Sequence, residues 1–388
     1  MPADTSLFTR PFVITCLATF FFYLSFYLLL PTMPLYVAGK GGTPAQLGLV
    51  FGLFAFMAMV LRPPVGWFID TRGTRLVLLA GMAIFLVASL GYTAAGSVET
   101  VLALRLFHGM GMGLFPTAAT VLVAEVAPPA RRGEAMGWFG IANSAGLIIG
   151  PVAGTALAAR MGFPALFLSA GGMAALGLAC TAILPRVGRQ PEARGRAVRW
   201  RDFFSRAAIF PSAILLFLYL PYGALVSFIP IIATRRGLGN PGVFYTIFAL
   251  AVLLVRAKAG RLSDRRGRTA VILPGMLVAA LAFAVLGLTS GPIGVLAGGA
   301  AYGIGFGAVQ PALLALTADR VPLEERGKAM GTFYTAWELG ISAGSIGSGL
   351  LLQVVDFPVM LLASSAIVVA GAMLTLLARP AAAPRPAP

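Results

Sequence analysis

The stretch Gly66-Trp67-Phe68-Ile69-Asp70-Thr71-Arg72-Gly73-Thr74-Arg75 is a charged turn between two long apolar runs, and it occurs twice. The second copy is Gly260-Arg261-Leu262-Ser263-Asp264-Arg265-Arg266-Gly267-Arg268, and Asp264 follows Asp70 by 194 residues, half of the 388 in the chain. An arginine precedes each copy at the same offset, Arg62 and Arg256. The offset carries outward from the turn. Gly109-x-Gly111-x-Gly113 maps onto Gly303-x-Gly305-x-Gly307, and Glu125-x-x-Pro128 onto Asp319-x-x-Pro322. Arg132-Gly133-x-Ala135-Met136-Gly137 maps onto Arg326-Gly327-x-Ala329-Met330-Gly331, and Gly146 and Gly150 onto Gly340 and Gly344. Self-similarity at one fixed period marks an internal duplication.

Composition says where such a chain lives. It is 59% hydrophobic and 11% charged, against roughly 45–50% and about 25% in soluble domains. Apolar runs long enough to cross a ~30 Å hydrocarbon layer as helices recur from end to end, and backbone in lipid must satisfy its own hydrogen bonds. The sequence predicts an all-α membrane protein of twelve spans, near 12–38, 44–69, 76–95, 98–127, 133–160, 163–185, 207–235, 240–262, 270–290, 292–320, 326–354 and 356–379. They fall into a six-helix bundle over 1–185, a linker over 186–206, a second six-helix bundle over 207–379 and a disordered Ala/Pro-rich tail over 380–388.

The formal net charge of +16 does not point to nucleic acid. Of the 29 Lys and Arg, 21 fall in the termini, the linker and the alternate loops that share one side, whereas only Lys40, Arg160, Arg235 and Arg236 fall on the other. Basic short loops stay cytoplasmic, which places both termini inside and gives that face an attraction to anionic membrane lipid. Cys16 and Cys180 lie in apolar runs and read as packing residues. The first apolar run reads as a retained span with no cleaved signal.

The motifs resemble those of a known family. Gly66-x-x-x-Asp70-x-x-Gly73-x-Arg75 is similar to the loop motif between helices 2 and 3 of the major facilitator superfamily, and the second copy is the fuller version; the first departs from it at Thr71 and Thr74, where basic residues are usual. Arg105-x-x-His108-Gly109-x-Gly111 resembles the family's fourth-helix motif, with His where Gln is common. Gly146-x-x-x-Gly150-Pro151-x-x-Gly154 resembles the fifth-helix motif of drug:proton antiporters. The resemblance implies two pseudo-symmetric bundles that work by alternating access. It also implies a cytoplasmic gate formed by Gly66, Asp70, Arg72, Gly73, Arg75, Glu125 and Arg131 with Gly260, Asp264, Arg265, Arg266, Gly267, Arg268, Asp319 and Arg326, in which Asp70 approaches the start of the eleventh helix.

Charges inside the spans are costly and mark working sites. Glu338 lies about twelve residues into the eleventh span, near mid-membrane, and its repeat-mate is Ser144, so the shared fold does not demand an acid there. A carboxyl so placed is a candidate to carry a coupling proton. Arg105, whose repeat-mate is Gly299, and His108, the only histidine, share a face of the fourth span and are read with Glu338 as proton-coupling candidates. Tyr23, Tyr27, Asn143, Tyr219, Tyr222, Phe228, Gln310, Tyr334 and Trp337 are candidates to line a mainly apolar cavity.

The reading is a secondary transporter, not an enzyme, that exports a hydrophobic or amphipathic small molecule from a bacterial-type inner membrane in exchange for protons. No nucleotide-binding loop, triad or metal cluster stands in the sequence, so the proton is the expected coupling ion and no cofactor is expected. Rival readings keep the fold: uptake or facilitated movement of an organic anion held by Arg105, or a lipid flippase. A membrane sensor or scaffold would call for large extra-membrane loops, which the sequence lacks. Nothing requires more than a monomer.

Overall fold

The computed structural model describes residues 6–185, 204–322 and 325–377. The helices are α1 (Arg10–Leu29), α2 (Thr32–Gly39), α3 (Pro44–Arg72), α4 (Thr74–Gly91), α5 (Val98–Val126), α6 (Arg132–Ala182), α7 (Ile209–Arg235), α8 (Gly242–Arg266), α9 (Thr269–Leu288), α10 (Pro292–Asp319), α11 (Arg326–Leu351) and α12 (Phe357–Leu376). Among the described residues there is no strand.

Two elements differ from one helix per span. The first span breaks at Pro31, so α1 and α2 share one crossing. The fifth and sixth spans run together as α6, whose 51 residues would reach roughly 75 Å, twice what one crossing needs. The helix turns back at Gly162, where φ 82 and ψ 170 leave the helical region. That bend lies between the predicted spans 133–160 and 163–185. Of the linker, residues 186–203 lie outside the described residues, as do residues 378–379 of the second bundle and the tail over 380–388.

Gly73 and Gly267 hold positive φ, 81 and 90, which a side chain disfavours and glycine accepts. Each ends one helix and lets the next begin within two residues, so the duplicated motif is a tight hairpin turn in both halves.

Small residues set the helix packing. A Cβ on Gly109 would lie 2.3 Å from the Phe54 carbonyl oxygen, and one on Gly303 would lie 2.5 Å from that of Phe248, the same contact one repeat later. Gly146, Gly150 and Gly154 of α6 press on α1 from Tyr23 to Leu28, as Gly340 and Gly344 of α11 press on Tyr219 and Leu220 of α7.

The repeat also organises the seam between the halves. A Cβ on Gly48 would meet the Ser345 carbonyl oxygen at 2.4 Å, and one on Gly242 would meet that of Pro151 at 2.2 Å. The Ser342 hydroxyl donates to the Gly52 carbonyl (2.9 Å), and the Thr246 hydroxyl donates to the Ile148 carbonyl (2.7 Å). In each case the paired positions are one repeat apart, so α3 on α11 and α8 on α6 form two copies of one seam.

Those contacts lie at the end of the bundle away from the termini. There Asn240 adds a latch: its side-chain amide donates to the Val152 carbonyl (3.2 Å), and its carbonyl oxygen accepts from the Thr155 hydroxyl. At the terminus end, Cβ atoms on Gly66, Gly133, Gly137, Gly140, Gly260 and Gly327 would meet nothing within 4 Å. The halves are joined at the far end, and a cleft opens between them at the terminus end.

Candidate functional site

The cleft closes upon one ion pair. Arg62 of α3 binds the Glu338 carboxylate of α11, joining the two halves, with the side chains only 21% and 6% exposed. Glu338 lies twelve residues past Arg326 and Arg62 ten residues before Arg72, so each is roughly 15–18 Å in from the terminus end. The guanidinium also lies over the Tyr334 ring, 5.5 Å from its centre. Two charges this secluded hold only because each has the other; removing one partner from such a pair typically costs about 3–5 kcal/mol. Sequence reasoning singled out Glu338 and noted Arg62 only as a repeat mark. The missed signal was the depth of Arg62, which puts a charge level with Glu338 on a helix that faces α11.

Aromatic side chains surround the pair. Tyr23 lies within electrostatic reach of Arg62, Glu338 and Tyr334, and stacks on Tyr27 at 5.7 Å. The Tyr27 hydroxyl donates to Asn143 Oδ1 (3.0 Å). On the other wall Tyr219 meets Trp337 at 4.5 Å, Trp337 meets Tyr334 at 5.8 Å, and Tyr222 meets Phe306 at 5.5 Å, with Gln310 one turn further along α10. Phe306 was not among the sequence candidates. Phe228 is a correction: it is fully buried against Phe357 at the start of α12, 6.2 Å ring to ring, at the far end and away from these walls.

Arg105 and His108 do not join Glu338. Arg105 is fully buried within the first half, where its Nε donates to the Val50 carbonyl (2.8 Å) and its guanidinium lies over Phe51 and Phe54 at 4.8 and 4.3 Å. His108 packs edge-on to Phe54 and Phe85, and its Nδ1 is 3.2 Å from the Tyr92 hydroxyl. Every described partner of the two belongs to the first half. Arg62, unlike Arg105, reaches the cleft.

The loop charges pair within halves. Arg268 binds Asp264 and also donates from Nε to Asp319 (2.8 Å), tying the α8–α9 turn to the end of α10. The hydrogen bonds that Arg268 donates to Asp319 and to Asp264 raise the pKa of its guanidinium above the ordinary value. Arg75 donates to the Ala182 carbonyl (2.6 Å), and Arg131 pairs with Glu134 at 2.9 Å. Arg72, Arg265, Arg266 and Arg326 stand exposed, as does Glu125, and the Asp70 side chain lies outside the described residues. The ion pairs of Arg268 with Asp264 and Asp319, and of Arg131 with Glu134, each stay within one half.

Two six-helix halves around a polar-cored cleft define the class of membrane transporters. The sequence profile described as Major Facilitator Superfamily matches residues 15–322 and 241–388, and the chain belongs to that family. It is 24% identical over 377 residues to the multi-drug resistance efflux pump PmrA homolog of Lactococcus lactis subsp. lactis (strain IL1403), covering 93% of this chain and 92% of that one. It is 27% identical over 132 residues, 34% of each chain, to the quinolone resistance protein NorA of Staphylococcus aureus (strain MRSA252). A solved POT family transporter in complex with 5-aminolevulinic acid superposes with a TM-score of 0.82 at 14% identity, over 96% of this chain and 97% of that one. The protein is a transporter of the major facilitator fold and not an enzyme.

Proposed function

We propose that this chain is a proton-coupled exporter of hydrophobic or amphipathic small molecules, acting as a monomer in a bacterial-type inner membrane with both termini cytoplasmic. The observation that carries the reading is the Arg62–Glu338 pair, which spans the halves at the head of an aromatic-lined cleft. With the termini inside, the cleft opens to the cytoplasm. In that state Glu338 has released its proton inward, and its carboxylate, paired with Arg62, helps hold the halves together. When the halves rock to face outward the pair parts, the carboxyl takes a proton from outside, and cargo leaves. Two access states around a central site are the general scheme for such folds. Export is supported further by the names of two relatives, a multi-drug resistance efflux pump homolog and a quinolone resistance protein.

The test is proton movement in liposomes that hold a pH-sensitive dye, challenged with amphipathic cations, neutral drugs and anions. Cargo-triggered proton flux in the wild type, absent in Glu338→Gln, is expected. Cargo movement with no proton flux, unchanged in the variant, would remove the coupling and leave a facilitator or a lipid flippase.

A further inference from the structure

The two seams are copies, but their charges are not. Arg62 in the first seam has Arg256 as its repeat-mate, and Glu338 has Ser144. The geometry of the seams supports that pairing: Gly52 with Ser342 in one occupies the place of Thr246 with Ile148 in the other. Arg256 therefore stands on α8 where Arg62 stands on α3, and the position opposite holds a serine. The Ser144 hydroxyl is used locally, donating to the Gly140 carbonyl (3.0 Å). Asn143 beside it is engaged by Tyr27.

Arg256 is exposed. Leu254, 74% exposed, is two residues away and so lies on the opposite side of the helix. On the face of Arg256, Tyr245, Ala249, Ala259 and Ser263 are buried, Val252 and Gly260 are half-buried, and Leu253 is 49% exposed. As the repeat-mate of Arg62, which reaches α11 across the first seam, Arg256 faces the α6 side of the second seam and so looks into the cleft. It is ten residues from the end of α8, or roughly 15 Å deep, and none of the described ion pairs uses it. A charge at that depth stands only beside water or an anionic partner.

We propose that Arg256 is the anion-binding arm of the cleft and that the preferred cargo is an amphipathic compound carrying a carboxylate or a comparable anionic group. The acid that answers Arg62 from the protein is missing opposite Arg256, and the cargo supplies it. The tyrosine and tryptophan walls take the apolar body of the same molecule. A guanidinium offers a bidentate site for a carboxylate. The assignment also moves anion recognition from Arg105, which is sealed inside the first half, to an arginine open to the cleft. It rests on the cleft being the cargo site.

The test compares three probes on one skeleton, pyrenebutyrate, its methyl ester and pyrenebutylamine, binding to the purified full-length chain at equilibrium with no gradient. Wild type is expected to favour the carboxylate over the ester by roughly tenfold, the scale of one charge-assisted hydrogen bond. Arg256→Gln should erase that preference with the ester unchanged, and Arg256→Lys should keep most of it. If Arg256→Gln binds neither probe, Arg256→Cys decides, in a chain whose Cys16 and Cys180 are serine. Attachment of a cationic thiosulfonate reagent should restore the preference and attachment of an anionic one should not. No carboxylate preference in wild type, a preference that survives Arg256→Gln, or equal effects of the two reagents overturns the proposal. Because binding is read without protons, it can fail while coupling through Glu338 stands, and the reverse.

Discussion

Glu338 and Arg62 are secluded enough that each is tolerated only with the other. Arg62→Gln is expected to lower thermal stability in detergent, with a loss on the order of 3 kcal/mol, whereas the double change Arg62→Gln with Glu338→Gln should recover most of it. A double-mutant cycle from melting curves checks this, and strictly additive losses would mean the pair does not interact. Arg268 is different. Its partners are largely exposed, Asp264 at 68% and Asp319 at 44%, so Arg268→Ala should cost only about 0–1 kcal/mol and should matter little once salt screens the turn. The sequence exposed Glu338 because an acid within an apolar span is conspicuous. Arg62 escaped because, though inside the predicted span 44–69, it read only as a repeat mark ahead of the basic turn. Arg105 misled for the opposite reason: its depth marked it, but depth does not say whether a side chain faces the cleft or the core of its own bundle.

At the scale of elements, the far-end seams are built on close backbone approach. Gly242→Val would put a side chain where Cβ alone already lies 2.2 Å from the Pro151 carbonyl oxygen. The expected result is loss of the closed far end, read as new labelling of far-end cysteines by a membrane-impermeant reagent from outside. Unchanged labelling would mean that this approach does not hold the seam. Asn240→Ala removes the latch onto α6 and should move the same equilibrium by roughly 30-fold, at about 1 kcal/mol for each of the two hydrogen bonds lost. The helices themselves were legible from apolar run length, and the motif turns from Gly73 and Gly267, where one residue type meets a backbone need. The union of two spans in α6 was not legible, because a glycine that breaks a helix and a glycine that packs one look alike in sequence.

For the whole molecule, the duplication predicted two equivalent halves, and the repeat of the seams bears out how deep the equivalence goes. What sequence could not show is which end the halves close, since glycines stand near both ends of the spans that form the seams. Here the far end is closed, and Arg62 with Glu338 forms a charged tie across the halves. If release of that tie drives the change of access, neutralising the acid must change the populations of the two states without any cargo or gradient.

The most direct test is the distance between spin labels placed at Gly66 and Gly327, one on each half at the open end, measured by pulsed electron resonance in lipid discs. The account predicts that Glu338→Gln moves the distribution towards the shorter distance, by roughly tenfold in population if the pair contributes about 1.4 kcal/mol to the present state. An unchanged distribution in Glu338→Gln would contradict it, because the pair would then hold neither access state.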